Sequence, residues 1–306
     1  MKHFSAKRKE LSKNLFVLSI MAYPLALFLL MYCYVNLNSF LMAFQQTNLD
    51  GTSTFVGFDK FKEFFEMITE SGGILNISLI NSLKMYVINF IAGVPLSIFF
   101  SYILFKKMPA HQALRVVIML PQVISSMVIA LLFKKFLDNG LPNVLGNWFN
   151  DGKPLLLLSN KEYSFGTTIF YMVWVSFGTN CIVYSNAMNE IDNEVMESAQ
   201  IDGVSNMFAE LWYIILPLIF PTLTTFIVTG FASIFTATGP LITFYGTGAS
   251  DHLYNVGYFY TYNVLVDKTY KTYNMLAAGG LIMTLIVAPL TNLLRYIMEK
   301  YGPGVD

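Results

Sequence analysis

The residue types that usually carry enzymatic or metal chemistry are few and scattered in this sequence. The three histidines, His3, His111 and His252, are far apart, and the two cysteines, Cys33 and Cys181, both fall inside apolar runs. Metal sites and nucleophile–histidine pairs need such groups at recurring spacings, and no Walker A loop, HExxH or GxSxG pattern occurs. We therefore predict that the chain is not an enzyme, binds no metal or cofactor itself, and keeps its cysteines as buried hydrophobic residues.

Hydroxyl and amide side chains are the groups within the apolar segments that could bind a polar substrate. Thr222, Thr225, Thr229, Ser233 and Thr236 fall within about 80° of one helix face at about 100° per residue. Such a stripe is most often used for helix packing or for bonds to the carbonyl of residue i−4, and less often lines a pore. Hydroxyls, amides and aromatic rings would also suit a sugar. The candidate substrate pathway comprises Gln122, Ser126, Asn180, Tyr184, Thr225, Thr229, Ser233 and Thr236.

Small and polar residues recur at every fourth position of another segment. They are Asn89, Gly93, Ser97 and Ser101. Because this small-xxx-small pattern lets two helices approach closely, we interpret it as a packing face.

Acidic side chains are concentrated in one connection between two apolar segments. From Glu190 to Glu210 there are six acidic residues and no basic one. Cytoplasmic connections normally carry an excess of Lys and Arg, so this composition predicts that a basic group meets the loop. Apolar residues in the stretch recur at helical spacing, which predicts a short amphipathic helix that ends in a turn at Gly203.

The elements that position these groups are predicted to be membrane helices. Hydrophobic residues make up 55% of the chain and charged residues 12%, about half the usual ~25%, and the mean hydropathy is +0.54. Nineteen basic and nineteen acidic residues cancel, so the charge gives no indication of a nucleic-acid partner. This composition predicts an all-α polytopic membrane protein.

Six segments are apolar over the ~20 residues that a bilayer core of about 30 Å requires. They are residues 15–43, 78–105, 112–136, 167–189, 211–238 and 272–295. Five basic residues precede the first segment and place the N-terminus in the cytoplasm, so six spans return the C-terminus there. The predicted organisation is therefore a cytoplasmic tail (1–14), the first helix (15–43), an extracytoplasmic segment (44–77), a core (78–295) that contains a cytoplasmic loop (189–213), and a cytoplasmic tail (296–306).

Charged residues are missing from the long apolar stretch between Leu211 and Ser250. Proton-coupled carriers need such groups at membrane depth, which disfavours that class, although a sodium site built from backbone carbonyls would leave no such signature. Since the chain also lacks a nucleotide-binding motif, the energy for any uphill transport has to come from a partner.

The acidic loop resembles the EAA loop of ABC-importer permeases, whose pattern is Glu-Ala-Ala, three residues, Gly, and a downstream Ile-x-Leu-Pro. The matching residues are Glu197, Ala199, Gly203, Ile214, Leu216 and Pro217, and Ile-Asp-Gly at 201–203 is the form of the carbohydrate-importer branch. The sequence departs from the pattern in having Ser198 for the middle Ala, Asp192 where the branch usually has Pro, and one extra residue between Gly203 and Pro217.

The resemblance extends over about residues 55–290. Phe55–Phe61, Arg115 to Pro121, Thr238–Pro240 and Ala277–Gly279 occur in the order and at the spacing of the sugar-permease pattern. The chain is thus similar to the first permease of maltose, multiple-sugar and glycerol-phosphate importers, which implies a type I importer permease (MetI-like) architecture with six transmembrane helices.

The resemblance also implies partners and roles. In this family the loop forms a coupling helix that sits in a groove of an ATPase subunit, with the glutamate facing a basic residue. The coupling residues carried over are Glu197, Ser198, Ala199, Asp202, Gly203, Leu216 and Pro217. The implied partners are a second homologous permease, an ATP-binding-cassette ATPase dimer that binds ATP and Mg, an extracytoplasmic solute-binding protein, a sugar or oligosaccharide, and the lipid bilayer, with no nucleic acid.

The implied location is the cell (plasma or inner) membrane of a prokaryote. Three alternatives remain: an ABC importer for a non-sugar solute, an ion-coupled secondary carrier, and a membrane enzyme or scaffold, for which no catalytic cluster is present.

Overall fold

The structure is a computed structural model that describes residues 2–48, 50–149, 152–204, 206–266 and 270–303. This part of the chain is helical except for one short hairpin and the connections. It divides into two compact units, one formed by residues 1–66 with 268–282 and the other by 67–267 with 283–306.

The first unit begins with a long apolar helix. Helix α1 (Lys2–Leu27) continues through a π-helical turn (Phe28–Tyr34) into α2 (Val35–Ala43). The stretch Phe16–Ala43 is long and apolar enough to cross a membrane, and none of its most apolar window is buried. A helix that is apolar all round without being covered by its own chain is a membrane span, because lipid or another subunit has to cover it.

A hairpin follows this span. Strands β1 (Gln45–Thr47) and β2 (Ser53–Phe55) pair antiparallel, and helix α3 (Asp59–Thr69) begins after them. The buried Asn274 holds the first strand, because its amide donates to the Met42 carbonyl at 2.8 Å and accepts from the Thr47 N–H at 3.3 Å.

The second unit contains the remaining long helices. They are α4 (Ile74–Phe105), α5 (His111–Val123), α6 (Ser126–Lys135), α7 (Pro142–Phe149), α8 (Lys161–Asn189), α9 (Asn193–Ile201), α10 (Met207–Glu210), α11 (Leu216–Ala232), α12 (Leu241–Tyr245) and α13 (Val256–Val266). π-Helical turns occupy Phe136–Gly140 and Leu211–Ile215, and a 3₁₀ turn occupies Asp251–Leu253. The last helix, α14 (Tyr270–Tyr301), contributes residues to both units.

Five helical segments of the described chain are able to cross a membrane, or six if the bent pair α5 and α6 counts as one span. They are Phe16–Ala43, Ile74–Phe105, Lys161–Asn189, Met207–Ala232 and Thr272–Tyr301, with His111–Val123 plus Ser126–Gly140 as the bent pair. The number agrees with the six predicted segments, and helices α4 and α14 extend beyond the predicted boundaries.

The third predicted segment, 112–136, is not one continuous helix. Its two halves meet at 104°, because Ile124 and Ser125 adopt extended backbone conformations. Pro121 removes a backbone N–H from the last turn of α5, which weakens the helix just before the break.

The fifth predicted segment, 211–238, also ends earlier, at Ala232. The Ser233 hydroxyl donates to the Gly230 carbonyl at 2.9 Å and the Thr236 hydroxyl donates to the Ser233 carbonyl at 3.2 Å. Hydroxyls that bond to nearby carbonyls compete with a continuing helix, so the stretch after Ala232 forms turns instead.

Helices α4 and α8 pack along each other and form the centre of the second unit. Ser97 and Ser101 are fully buried, and the Ser101 hydroxyl lies 2.8 Å from the Cys181 carbonyl of α8. The small residues of α4 therefore do form a packing face, as their fourfold spacing indicates.

Candidate functional site

A cavity of about 280 Å³ lies among helices α4, α8 and α11 and the residues just before α13. None of the described residues that line it is charged. Seven Ser, Thr and Asn side chains contribute to it, namely Ser82, Asn89, Ser176, Asn180, Thr229, Ser233 and Asn255. Four aromatic rings complete the set, namely Tyr86, Phe90, Tyr184 and Phe226. An apolar lining with a few polar groups is typical of sites for small uncharged ligands.

Helical periodicity explains how these residues reach one space. On α8, the lining residues Met172, Ser176, Asn180 and Tyr184 are four residues apart. Residues at i and i+4 lie one above the other on a helix, so they form a single stripe along the cavity. Helix α4 contributes a matching stripe between Ser82 and Val94.

Among the described lining residues, Tyr184 has a buried hydroxyl that forms no hydrogen bond. Its side chain is fully buried, and its hydroxyl has no hydrogen-bond partner within the described part of the chain. The ring meets Phe226 edge-on at 5.8 Å between centroids. Leaving such a hydroxyl unpaired costs about 1–3 kcal/mol, so a ligand or a water molecule in the cavity would be stabilised by bonding to it.

Other lining side chains also have free hydrogen-bonding capacity. The Ser176 hydroxyl donates to Asn89 Oδ1 at 3.0 Å, which fixes the amide orientation and leaves its NH₂ group without a partner among the described residues. The Tyr86 hydroxyl donates to the Ile227 carbonyl at 3.2 Å and can still accept. Together these groups present both donors and acceptors to the cavity.

One end of the cavity is fixed by bonds between α4 and the segment that precedes α13. The Asn81 amide donates to the carbonyls of His252 and Tyr254, each at 2.9 Å. The Val256 N–H donates to Ser82 Oγ at 2.9 Å. These bonds bring Ser82 and Asn255 to the same wall.

The predicted pathway residues divide into two groups. Asn180, Tyr184, Thr229 and Ser233 line the cavity. Gln122, Ser126, Thr225 and Thr236 do not line it. The role of all eight in a pathway stays a prediction.

The four residues outside the cavity have distinct surroundings. Gln122 lies at the contact between α5 and α8. A Cβ atom added at Gly178 of α8 would come within 2.9 Å of the Gln122 side chain. Ser126 is exposed at the start of α6, and Thr236 lies in the turn after α11. Thr225 borders a separate groove with Arg295.

Sequence reasoning missed Tyr86, Asn89, Ser176 and Asn255 as lining residues. Asn89 was interpreted as part of a packing face, and it does lie on that face through its bond to Ser176. The available signal was the i, i+4 repeat of Ser176, Asn180 and Tyr184, which places them on one stripe of α8.

The second group of predicted site residues lies in the segment from α9 to the start of α11. Glu197 and Ser198 are exposed on α9, whereas Met196 is buried. The Gly203 N–H donates to the Gln200 carbonyl at 3.1 Å and the Val204 N–H to the Ala199 carbonyl at 3.0 Å. This is a Schellman motif, and Gly203 has the positive φ, +93°, that the motif requires.

Five acidic side chains remain exposed around α9. They are Glu190, Asp192, Glu194, Glu197 and Asp202, and none forms an ion pair with another described residue. Large apolar side chains are exposed in the same segment, namely Ile201, Phe208, Trp212 and Tyr213, at 86%, 69%, 68% and 74%. Exposed apolar groups rimmed by one charge sign are typical of a protein-docking surface. We call residues 190–213 the docking segment.

The extra residue between Gly203 and Pro217 coincides with the π-helical turn Leu211–Ile215. A π turn accommodates one more residue than an α turn, so the helix continues into Leu216 and Pro217. Because Pro217 has no backbone N–H, it cannot donate to the Tyr213 carbonyl. The π-helical turn lies just before this proline.

The chain matches the protein family described as "Binding-protein-dependent transport system inner membrane component" over residues 93–305, more than half of its length. It is 27% identical over 232 residues to the polygalacturonan/rhamnogalacturonan transport system permease protein YteP of Bacillus subtilis (strain 168), covering 69% of this chain and 68% of that protein. It is also 27% identical over 233 residues to the lactose transport system permease protein LacF of Rhizobium radiobacter, covering 72% and 76%.

The structure is similar to a chain of the bacterial alginate ABC transporter in complex with an alginate pentasaccharide-bound periplasmic protein. The TM-score is 0.76 at 20% sequence identity, with 97% of this chain and 99% of that chain covered. At this identity the likeness shows a shared fold, and it confirms the predicted all-α polytopic architecture of an importer permease.

Proposed function

Because the chain belongs to the family of binding-protein-dependent transport system inner membrane components, we propose that it is the permease subunit through which an ABC importer moves a sugar or oligosaccharide. The observation that carries the substrate class is the uncharged cavity among α4, α8 and α11. The buried, unpartnered Tyr184 hydroxyl supports a ligand with its own hydroxyl groups.

The lining suits the surface of a sugar ring. The amides of Asn180 and Asn89 can pair with the hydroxyls of the sugar, and the aromatic rings of Tyr86 and Phe90 can cover its C–H faces. The names of two relatives, one a polygalacturonan/rhamnogalacturonan permease and one a lactose permease, support a carbohydrate in general. We therefore propose that the substrate is a saccharide and that the extracytoplasmic binding protein determines which one is delivered.

Three kinds of partner complete the proposed importer. A second homologous permease encloses the pathway, an extracytoplasmic binding protein delivers the sugar, and an ATPase dimer binds ATP and Mg. The docking segment supports the ATPase partner, because its exposed acidic and apolar side chains complement a basic groove with apolar contacts. Glu197 would form a charge-assisted hydrogen bond to that groove.

The proposed orientation places both termini in the cytoplasm of a prokaryotic cell and the chain in the plasma or inner membrane. Five basic residues before the first span support a cytoplasmic N-terminus. With the bent pair counted as one span, four spans precede the docking segment. This number supports a docking segment on the same side as the N-terminus, where the ATPase would bind.

The energy source of uptake tests this proposal. Cells that depend on this chain are supplied with labelled lactose and labelled oligogalacturonides, and uptake is measured after ATP depletion and separately after an ionophore. We expect ATP depletion to abolish uptake of the transported probe, and the ionophore to leave it unchanged while ATP is maintained. Uptake that collapses with the ionophore and survives ATP depletion would instead identify an ion-coupled carrier.

A further inference from the structure

An ion pair joins the docking segment to helix α4. Lys106 follows the last residue of α4, Glu210 ends α10, and Lys106 Nζ lies 2.5 Å from Glu210 Oε1. Glu210 is only 8% exposed, which distinguishes it from the five exposed carboxylates of the same segment. Of the six acidic residues from 190 to 210, this one already has its basic partner within the chain.

The pair is set in an apolar and aromatic environment. Lys106 Nζ lies 5.8 Å from the ring centroids of both Tyr102 and Phe105. Tyr102 is 1% exposed and packs in one hydrophobic cluster with Met196 of α9 and Ile215 of the π turn. The Glu210 side chain is 10% exposed and the Lys106 side chain 29%, so removing Lys106 would leave a largely buried carboxylate without its basic partner.

This contact differs from the other ion pairs of the described residues. Lys60–Glu63, Lys62–Glu66 and Arg295–Glu299 each lie within one helix at i, i+3 or i, i+4. Within the described ranges, only Lys106–Glu210 connects two helices. It therefore constrains the position of one element relative to another, which local pairs do not do.

The two helices have different parts in the proposed mechanism. Helix α10 belongs to the docking segment, directly before the π turn that leads into α11. Helix α4 supplies the cavity lining from Ser82 to Val94. A displacement of the docking segment that keeps the ion pair intact moves the end of α4, and the same helix continues from there to the cavity wall.

We propose that the Lys106–Glu210 ion pair transmits the movement of the docking segment to α4, so that the cavity responds to ATP in the partner. Lys106 and Glu210 are thus positioning residues for transport, and the inference rests on the proposed function. Neither residue contacts the cavity.

A cysteine reporter in the cavity tests this inference. Cys33 and Cys181 are replaced by Ala, Thr229→Cys is introduced in the lining, and intact cells are labelled from outside with a membrane-impermeant sulfonated maleimide. The labelling rate is compared between energised and ATP-depleted cells. We expect a ratio of about fivefold or more with Lys106 and Glu210 present, as for a typical coupling between two sites.

The variants separate charge pairing from other effects. Lys106→Met and Glu210→Gln each should bring the ratio close to one while an ATPase still co-purifies, and the exchanged pair K106E/E210K should restore most of the ratio. Lys107→Met and Glu70→Gln are matched controls, since both residues are exposed and unpaired among the described residues, and should keep the ratio.

Single variants that keep the full ratio would overturn the inference, and so would an exchanged pair that reaches the membrane with a ratio of one. If a single variant is lost from the membrane, the exchanged pair decides alone. A parent protein with a ratio of one and no co-purifying ATPase would overturn the proposed function itself.

Discussion

The Tyr184 hydroxyl is a polar group that folding buries without satisfying. It lines the cavity from α8, and no other described residue bonds to it. The free-energy cost of such an unpaired hydroxyl is offset when a ligand binds, because the ligand supplies the missing hydrogen-bond partner. We therefore propose that Tyr184 connects the packing of the second unit to substrate recognition.

Replacing Tyr184 by Phe should separate these two effects. The ring and its contact with Phe226 stay, so we expect the same amount of protein in the membrane and a thermal stability that is equal or slightly higher. The KM for uptake should rise by about 5- to 10-fold, which corresponds to the net value of about one hydrogen bond. The measurement is the concentration dependence of labelled saccharide uptake.

Tyr171→Phe is the matched control for this substitution. Tyr171 lies on the same helix and is 5% exposed, but it packs in a different cluster and does not line the cavity. The control should keep the parental KM. An unchanged KM in Tyr184→Phe would show that the hydroxyl does not contact the substrate.

At the scale of elements, the turn after α9 sets the direction in which the chain continues from α9 to α10 within the docking segment. Gly203 adopts φ +93°, and a Cβ added there would meet nothing within 4 Å. The need for glycine is therefore a matter of backbone conformation and not of space. A β-branched residue in this left-handed region costs about 1–2 kcal/mol or more, which is enough to shift the turn.

Gly203→Val should abolish transport while the protein remains in the membrane, because the strain is confined to the docking segment. Asn tolerates a left-handed conformation, so Gly203→Asn should retain much of the transport. Gly166→Val is a control in a helix, at a position with equally free space and no positive φ. The measurement is uptake normalised to membrane protein, and parental uptake in Gly203→Val would contradict a coupling role for this turn.

Element type was predictable here for a simple physical reason. Apolar runs of about 20 residues and an amphipathic stretch ended by Gly203 both leave a strong local pattern. The bend at Ile124 and Ser125, the end of α11 at Ala232, and the π turn Leu211–Ile215 were not predictable, because they depend on which backbone groups find partners in the folded chain.

The cavity was predictable only in part, for a related reason. A stripe such as Ser176, Asn180 and Tyr184 follows from spacing, but the direction it faces depends on how α8 is rotated against α4. Thr225 and Thr229 lie on the same helix, yet only Thr229 reaches the cavity. Their hydroxyls donate to backbone carbonyls four residues earlier, which is the bonding that commonly occupies such a stripe.

At the scale of the whole molecule, the chain has a cavity and a docking segment but no motif for binding nucleotide. Converting a minor conformation into a dominant one, from 1:99 to 99:1, takes about 5.5 kcal/mol of differential binding. The described residues that line the cavity include no charged side chain on which an ion gradient could act. We therefore propose that an ATPase partner bound at the docking segment supplies this free energy.

Purification of the tagged protein from its own membranes in mild detergent tests this proposal most directly. Wild type is compared with Glu197→Lys and with Glu70→Lys, a charge reversal at an exposed residue outside the docking segment. Wild type and Glu70→Lys should co-purify with an ATPase and show ATP hydrolysis, whereas Glu197→Lys should lose both. A wild-type protein that brings no ATPase, in detergent or after cross-linking, would contradict the account, and full recovery with Glu197→Lys would remove Glu197 from the contact.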